Sequence, residues 1–434
     1  MKPHIENKIQ CEVIFIMKAE QLVSSIIYQM NEQIKSEKFK EAYRSGSAFT
    51  RKGKLSFSSM VYYTLQAVPK SILSNYAKLR DAFTPLKLPL VSKQAISKAR
   101  QGISYKAFEA LYKKSVEIYY KCNRNLRMWN GYHIYAIDGS TLQIPETKEN
   151  IEYFGGNPNK TGKLMPLASV SLLYDIMNDM LIDGSLNEYR YNERKSAMEH
   201  MQFLPNLTNA ITLFDRGYPS EELFRYLDSK GILFLMRLPK HFKKLIFFES
   251  DTLFMYPSNH HHGGLTLRCI NFTLENGVKE YLVTNVMENR LCASDFADLY
   301  CLRWGIEGKY RELKNRFEIE NWCSMKPITI KQEFFAALLI SNIVSILKKG
   351  SDSALSLRLN TRHIYQANRS YILSRVKHNI IALLFAPKAV CEDFLFSLLD
   401  EAVHNLSIVR PDRRFGRFRT NDRRKFYTHL KSCL

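Results

Sequence analysis

The sequence lacks the features that mark several large protein classes. Its eight cysteines, Cys11, Cys122, Cys269, Cys292, Cys301, Cys323, Cys391 and Cys433, form no CxxC pair and no zinc-ligand spacing. That excludes a zinc-finger framework, and the thiols read as reduced and mostly buried in a cytoplasmic protein. The opening "MKPHIENKIQ" lacks the apolar core of a signal peptide. The longest apolar run, "FFAALLISNIVSIL" at 334–347, is interrupted by Ser341 and Asn342. It falls short of the roughly 20 residues of a membrane span, so it reads as a core helix and no membrane partner is expected. There is no internal repeat or low-complexity tract, so a repeat architecture is excluded.

What the two ends lack is acid. Residues 1–130 carry 23 Lys/Arg against 9 Asp/Glu, and residues 405–434 carry 9 against 2. The stretch between them holds 31 of each sign, so the formal charge of +21 belongs to the ends. Basic ends around a neutral middle suit a protein that holds a polyanion with its ends and acts on it with its centre. A soluble protein with a basic surface and a solvated tail is the other reading. A chain of 434 residues predicts two or three domains, and 45% hydrophobic residues mark it as folded.

Residues 1–128 read as helices with polar joints, including 56–79 with a break at Pro69 and 89–117 with a break at Gly102. In "SKQAISKARQGI", Lys93, Lys98 and Arg100 could face DNA as a helix-turn-helix reader while Ala95, Ile96 and Ala99 pack. The same pattern also fits an amphipathic helix with a solvated basic face. From 129 to 325 the texture becomes mixed α/β. Strands are predicted at 131–145, at 164–186 around a turn at Asn178-Asp179, and in a strand–helix–strand unit at 211–240. A β-rich segment follows at about 238–286. Its "NHHHGG" (259–264) reads as a hairpin loop, with metal binding by His260, His261 and His262 as the lesser alternative. Residues 326–434 read as helical and end in a basic tail with Phe415, Phe418 and Phe426 interleaved. Such a tail suits phosphates and stacking, or disorder when free.

Asp138 closes "YHIYAID" before Gly139, and Asp215 closes "AITLFD" before Arg216-Gly217. Carboxylates released by glycine at strand ends face the crevice where α/β sheets do their chemistry, although a single such Asp is commonly just a turn residue. The third acid is Glu307 in "YCLRWGIEGKYRELK" (300–314). On one helix, Tyr300, Arg303, Glu307 and Lys314 fall at about 0°, 300°, 340° and 320°, beside the apolar face of Leu299, Leu302, Ile306, Leu313 and Phe317. Three hard oxygen ligands suit Mg²⁺ or Mn²⁺, and two such ions support in-line phosphoryl transfer. Glu307 would bind metal, while Arg303, Lys314 and Tyr300 would hold a neighbouring phosphate. Lys309 and Arg311 read as solvated or touching flanking DNA backbone, and Trp304 as packing.

Tyr-x2-Arg-x3-Glu-x6-Lys resembles the signature of the insertion-sequence-four (IS4) family of DDE transposases, matched at every fixed position. "DGSTLQIP" and "FDRGY" look like the family's two aspartate segments, "KQAISKAR" is similar to its N-terminal DNA-binding region, and "YQANRSY" (365–371) to its C-terminal one. The resemblance implies an RNase H-like catalytic core with a β-strand insertion, flanked by helical N- and C-terminal regions. It also implies a cut-and-paste DNA transposase working as a homodimer on double-stranded DNA, both terminal inverted repeats and target DNA. Asp138, Asp215 and Glu307 would carry two Mg²⁺ ions, replaceable by Mn²⁺, while Tyr300, Arg303 and Lys314 grip the phosphate region. Relatives that form a DNA hairpin stack a flipped base on a tryptophan; between 130 and 303 this chain has none, and Tyr281 offers a π-face near that place. A metal-dependent nuclease on the same core and an inactive transposase-derived DNA-binding protein are the alternatives.

Overall fold

The computed structural model describes residues 3–409 apart from 52, 67–70, 83–86, 124, 206–208, 240–241, 243–250, 257–262, 275–276 and 359–363, with side chains from residue 19. The break at Pro69, the histidines 260–262 and the basic tail therefore lie outside the described residues. The chain forms two compact units. One comprises 125–142 and 168–312; the other comprises 1–124, 143–167 and 313–434.

The first unit is built on a mixed sheet. Its strands are β1 (His133–Gln143), β3 (Leu164–Asp175), β4 (Met180–Glu188), β5 (Ala210–Phe214), β6 (Leu233–Arg237), β7 (Asp251–Tyr256), β8 (Leu265–Thr273) and β9 (Lys279–Thr284). The short β2 (Gly156–Pro158) pairs with residues 164–166 of β3 inside the other unit. Strand order is β3-β1-β5-β6-β9-β8-β7, with β4 on the free side of β3. The β1–β5 and β5–β6 pairs are parallel and the rest of the recorded ladders are antiparallel. An antiparallel hairpin on one side and a parallel pair on the other side of the first strand is the RNase H-like arrangement that the resemblance implies. Buried Ile134, Ala136, Ile211, Leu213, Phe234 and Leu235 fill its centre, as strands covered on both faces require.

Local chemistry explains the joints. The β3–β4 turn forms at the predicted Asn178-Asp179, where Asp179 takes φ +56° and the Asp175 carboxylate accepts from Asn178 N at 3.0 Å. The Glu221–Ser229 helix between β5 and β6 starts where Ser220 Oγ accepts from Leu223 N at 3.2 Å. The β-rich segment after β6 adds β9, β8 and β7 to the edge of the same sheet.

In the second unit the N- and C-terminal helices share one core. The Pro327–Arg358 helix packs against Pro3–Lys35, Lys106–Cys122, Arg369–Phe385 and Lys388–His404. It is longer than the apolar run seen in sequence, and long and apolar enough to cross a membrane, yet that window is 94% buried among its neighbours. Ser341 and Asn342, read as interruptions, are buried within it. "YQANRSY" forms the strand Tyr365–Ala367 and the cap of the next helix, with Asn368 Oδ1 accepting from Ser370 N at 3.0 Å.

Two expectations are corrected here. Of the six described cysteines, only Cys269 and Cys391 are buried. Arg100 does not face outward for DNA: it is 1% exposed, and its guanidinium donates to Glu333 at 2.9 Å, Ser324 Oγ at 2.6 Å and Thr329 O at 3.2 Å. The Lys93–Gln101 helix packs on Ile96 and Arg100, which lie four apart on one face, and leaves Lys93 and Lys98 exposed. Arg100→Ala therefore leaves the half-buried Glu333 carboxylate without its cation, Ser324 and Thr329 without their donor, and a cavity where a 1%-exposed side chain packed, and should cost about 3 kcal/mol. Lys98→Ala should stay within about 0.5 kcal/mol. Denaturant melts of the two variants would check this, and equal stabilities would contradict the packing described.

Candidate active site

The β1–β5 register pairs Ile137 with Phe214 at its last step. Asp138 and Asp215 are the next residues, so they leave the ladder side by side on strands about 4.8 Å apart. The strand expected at 131–145 runs to Gln143 in the structure, and it is only the β1–β5 ladder that stops just before Asp138. Residues two apart on a strand share a face, so the apolar Ala136 and Ile134 anchor β1 beneath Asp138.

The signature stretch is not one helix. The Ala293–Cys301 and Trp304–Asn315 helices are joined by a tight turn. There Leu302 N, Arg303 N and Gly305 N bond to the carbonyls three residues back, at 3.1, 3.1 and 2.9 Å. The shorter bonds wind the chain at about three residues per turn, which shifts Arg303 off the single-helix wheel. Arg303 is 2% exposed: its Nη2 donates to Glu307 Oε1 at 2.9 Å, and Nη1 lies 3.9 Å from Asp138 Oδ2. Its guanidinium lies 5.7 Å from the Tyr300 ring centre and 5.2 Å from that of Trp304. Trp304 is 49% exposed and so is not the packing residue expected. Lys309 is likewise not solvated. It is buried, 2.7 Å from Asp179 Oδ1 and 3.7 Å from Glu312 Oε2, and ties the second helix to the β3–β4 turn.

Tyr300 donates its hydroxyl to Asp215 Oδ1 at 3.2 Å. Asp138 Oδ1 accepts from Gly139 N at 2.9 Å, and Tyr310 OH donates to the Asp138 carbonyl at 2.8 Å. Burial pushes the Asp138 carboxyl up to about 7, against the pull of Arg303 and the Gly139 N–H, while Asp215 and Glu307 push it further upward. Burial also raises the Tyr300 hydroxyl, with the Asp215 charge adding to it.

The structure thus brings Asp138, Asp215, Glu307, Tyr300 and Arg303 together. Lys314 is half-buried near the end of the Trp304–Asn315 helix and belongs to the other unit. Tyr281 is half-buried on β9, with β5 and β6 between its strand and β1. Tyr218 and Tyr310 were missed. Both are buried, and both feel the Asp138 charge. Tyr218 closes the "FDRGY" segment and Tyr310 lies inside the signature stretch, but no period or fixed spacing singles out their hydroxyls, which meet the site only through the tertiary fold.

A hard divalent cation matches this donor set, since acidic oxygens crowd together with a buried carboxyl that is costly to ionise. As they stand, no three acid, histidine or cysteine groups among the described residues are close enough to hold a metal. The Arg303 guanidinium lies between Asp138 and Glu307 and supplies the positive charge there.

The raised Asp138 carboxyl makes a pH prediction for metal-free protein. A folded-state value near 7, above the unfolded 3.8, means that the folded state binds the proton more tightly. Its ionisation therefore costs stability progressively as pH rises from about 4 to about 7. Asp138→Asn should raise the melting temperature at pH 8 by a few degrees more than at pH 4.5. An equal effect at both, in thermal melts with chelator, would contradict the buried environment.

The chain is similar to known proteins. The family model described as "Transposase DDE domain" matches residues 129–343. Transposase InsG for insertion sequence element IS4, from Escherichia coli strain K12, is 24% identical over 324 residues, 69% of this chain and 71% of that protein. Putative transposase InsZ of the same strain is 28% identical over 149 residues; the match spans 33% of this chain and about half (48%) of that relative. A structure of piggyBac transposase in a synaptic complex with hairpin DNA overlaps 89% of this chain and 85% of its own. Its TM-score is 0.45 and its identity 11%. The chain carries a transposase DDE domain and is similar to the transposase of the IS4 element; it is a DDE transposase, an enzyme of phosphoryl transfer on DNA.

Proposed function

We propose that this chain is a cut-and-paste transposase: it binds the terminal inverted repeats of its element, hydrolyses the phosphodiester at each end and joins the freed 3′-OH to target DNA. The observation that carries the reading is the pair of aspartates abreast at the end of the β1–β5 ladder, with Glu307 linked to Asp138 through one buried arginine. Asp138, Asp215 and Glu307 would hold the metal, two Mg²⁺ or Mn²⁺ ions in this reading. When bound, the metal supplies activation of the attacking oxygen and neutralisation of the leaving one.

The chain's own residues prepare the site. Tyr300 and Arg303 already direct hydrogen-bond donors at the acids, and a phosphate entering there meets the same donors. The Trp304 ring supports the guanidinium from its exposed side. The Tyr310 hydroxyl and Gly139 N–H fix the backbone and side chain of Asp138, so the carboxylate is oriented before DNA arrives. Lys314, with the exposed Lys93 and Lys98, would add phosphate contacts, and Tyr281 would stack on a displaced base. A homodimer pairing two ends, in the cytoplasm, completes the proposal. The basic ends of the chain support a polyanionic partner.

The test is cleavage of a labelled duplex carrying the element's own ends, in Mg²⁺, by wild type and Glu307→Gln. The variant should bind the duplex within about threefold of wild type and lose at least about a hundredfold in cleavage rate. Equal cleavage would remove Glu307 from the site, and a strand that reappears as a closed end would show a hairpin.

A further inference from the structure

Beside the two aspartates lies an acid that the signature does not include. Glu193 opens the Glu193–Met201 helix. A methyl group on Gly139 would come within 2.9 Å of Glu193 Oε1, and one on Gly217 within 3.6 Å of Oε2. Its carboxylate thus rests against the glycine that follows Asp138 and the glycine two residues after Asp215. A larger residue at 139 would force the Glu193 carboxylate to move, whereas the distance at 217 is ordinary van der Waals contact.

The fold holds this helix firmly. Asn192 Oδ1 accepts from Arg194 N at 2.9 Å and Lys195 N at 3.2 Å. Arg194 donates to the carbonyl of Tyr218 at 3.0 Å and to those of Gly217 and Pro219 at 3.4 Å, tying the helix's first turn to the loop after Asp215. Farther along, His200 bridges Asp183 (2.7 Å) and Ser171 Oγ (2.9 Å), pinning the helix to β4 and β3. So anchored, the helix still leaves the Glu193 carboxylate without a hydrogen bond or ion pair among the described residues. It lines a cavity of about 350 Å³ together with Ser140, Thr141, Ser185 and Asn187.

A second observation points to a missing occupant. The Tyr218 hydroxyl is buried and has no hydrogen-bond partner among the described residues. The carboxylates that press on it are Glu193, Asp138 and Asp215. A buried hydroxyl rarely stays unsatisfied, so a polar or cationic group within reach of the Tyr218 hydroxyl and of these acids would complete its surroundings.

We propose that Glu193 is a fourth carboxylate of the divalent-metal site, acting with Asp138 and Asp215 directly or through a metal-bound water. This rests on the metal reading above. Gly139 leaves room for this carboxylate beside Asp138.

The test is Mn²⁺ binding to the full-length protein without DNA, read by the electron paramagnetic resonance of free Mn²⁺. Glu193→Gln should weaken the affinity at least about tenfold. Gly139→Ala should do so comparably, because its methyl displaces only the end of a flexible side chain, and the double variant should add little to either. If Asp138→Asn weakens binding while Glu193→Gln and Gly139→Ala stay within twofold of wild type, the proposal is overturned and the three-acid site stands. If Asp138→Asn also has no effect, or the wild type binds no Mn²⁺, the metal reading fails and the fourth carboxylate fails with it.

Discussion

Everything at the centre of this protein depends on one parallel register. Because β1 and β5 are hydrogen-bonded in step from His133 and Ala210 onward, two carboxylates 77 residues apart in sequence emerge as neighbours. A slip of one residue would turn one of them to the opposite face of the sheet. The apolar residues beneath them, buried on both strands, resist such a slip through their packing. The placement of the two aspartates is therefore specified by ordinary hydrophobic alternation before their carboxylates make any contact.

Charge is arranged by burial. Arg303, Arg100 and Lys309 are cations taken out of water, each facing carboxylate oxygen. Desolvation makes each arrangement costly to break from one side, which confers rigidity more than net stability. Around Asp138 the balance is uneven. Arg303 faces several acids, and two tyrosine hydroxyls lie buried close by. A site with an excess of negative charge in a dry setting is prepared for an added cation.

Much of this was legible in the sequence. The strand–turn–strand of β3 and β4, the strand–helix–strand around Ser220 and the mixed core follow from period and turn chemistry. The acids stood out because glycine follows each aspartate closely and because the signature residues keep a fixed spacing. What sequence misjudged were side chains whose state depends on remote partners. Arg100 and Lys309 look solvated in a helical pattern, since nothing local announces Glu333 or Asp179. The break before Trp304 escaped for a similar reason: Leu302 and Arg303 are good helix formers, and only the tertiary setting winds them tighter. Trp304, apolar and therefore assigned to packing, instead exposes half of its surface beneath a guanidinium.

The strands that follow β6 attach to the sheet at its margin. β9 pairs with β6 over only Leu235–Arg237 and Leu282–Thr284, and β8 and β7 build outward from there. Residues added or lost in that margin are separated from β1 and β5 by β6. Evolution can thus vary the outer strands in length and surface while the aspartates keep their spacing. Inheritance of the reaction is separated from inheritance of the surface that this margin presents.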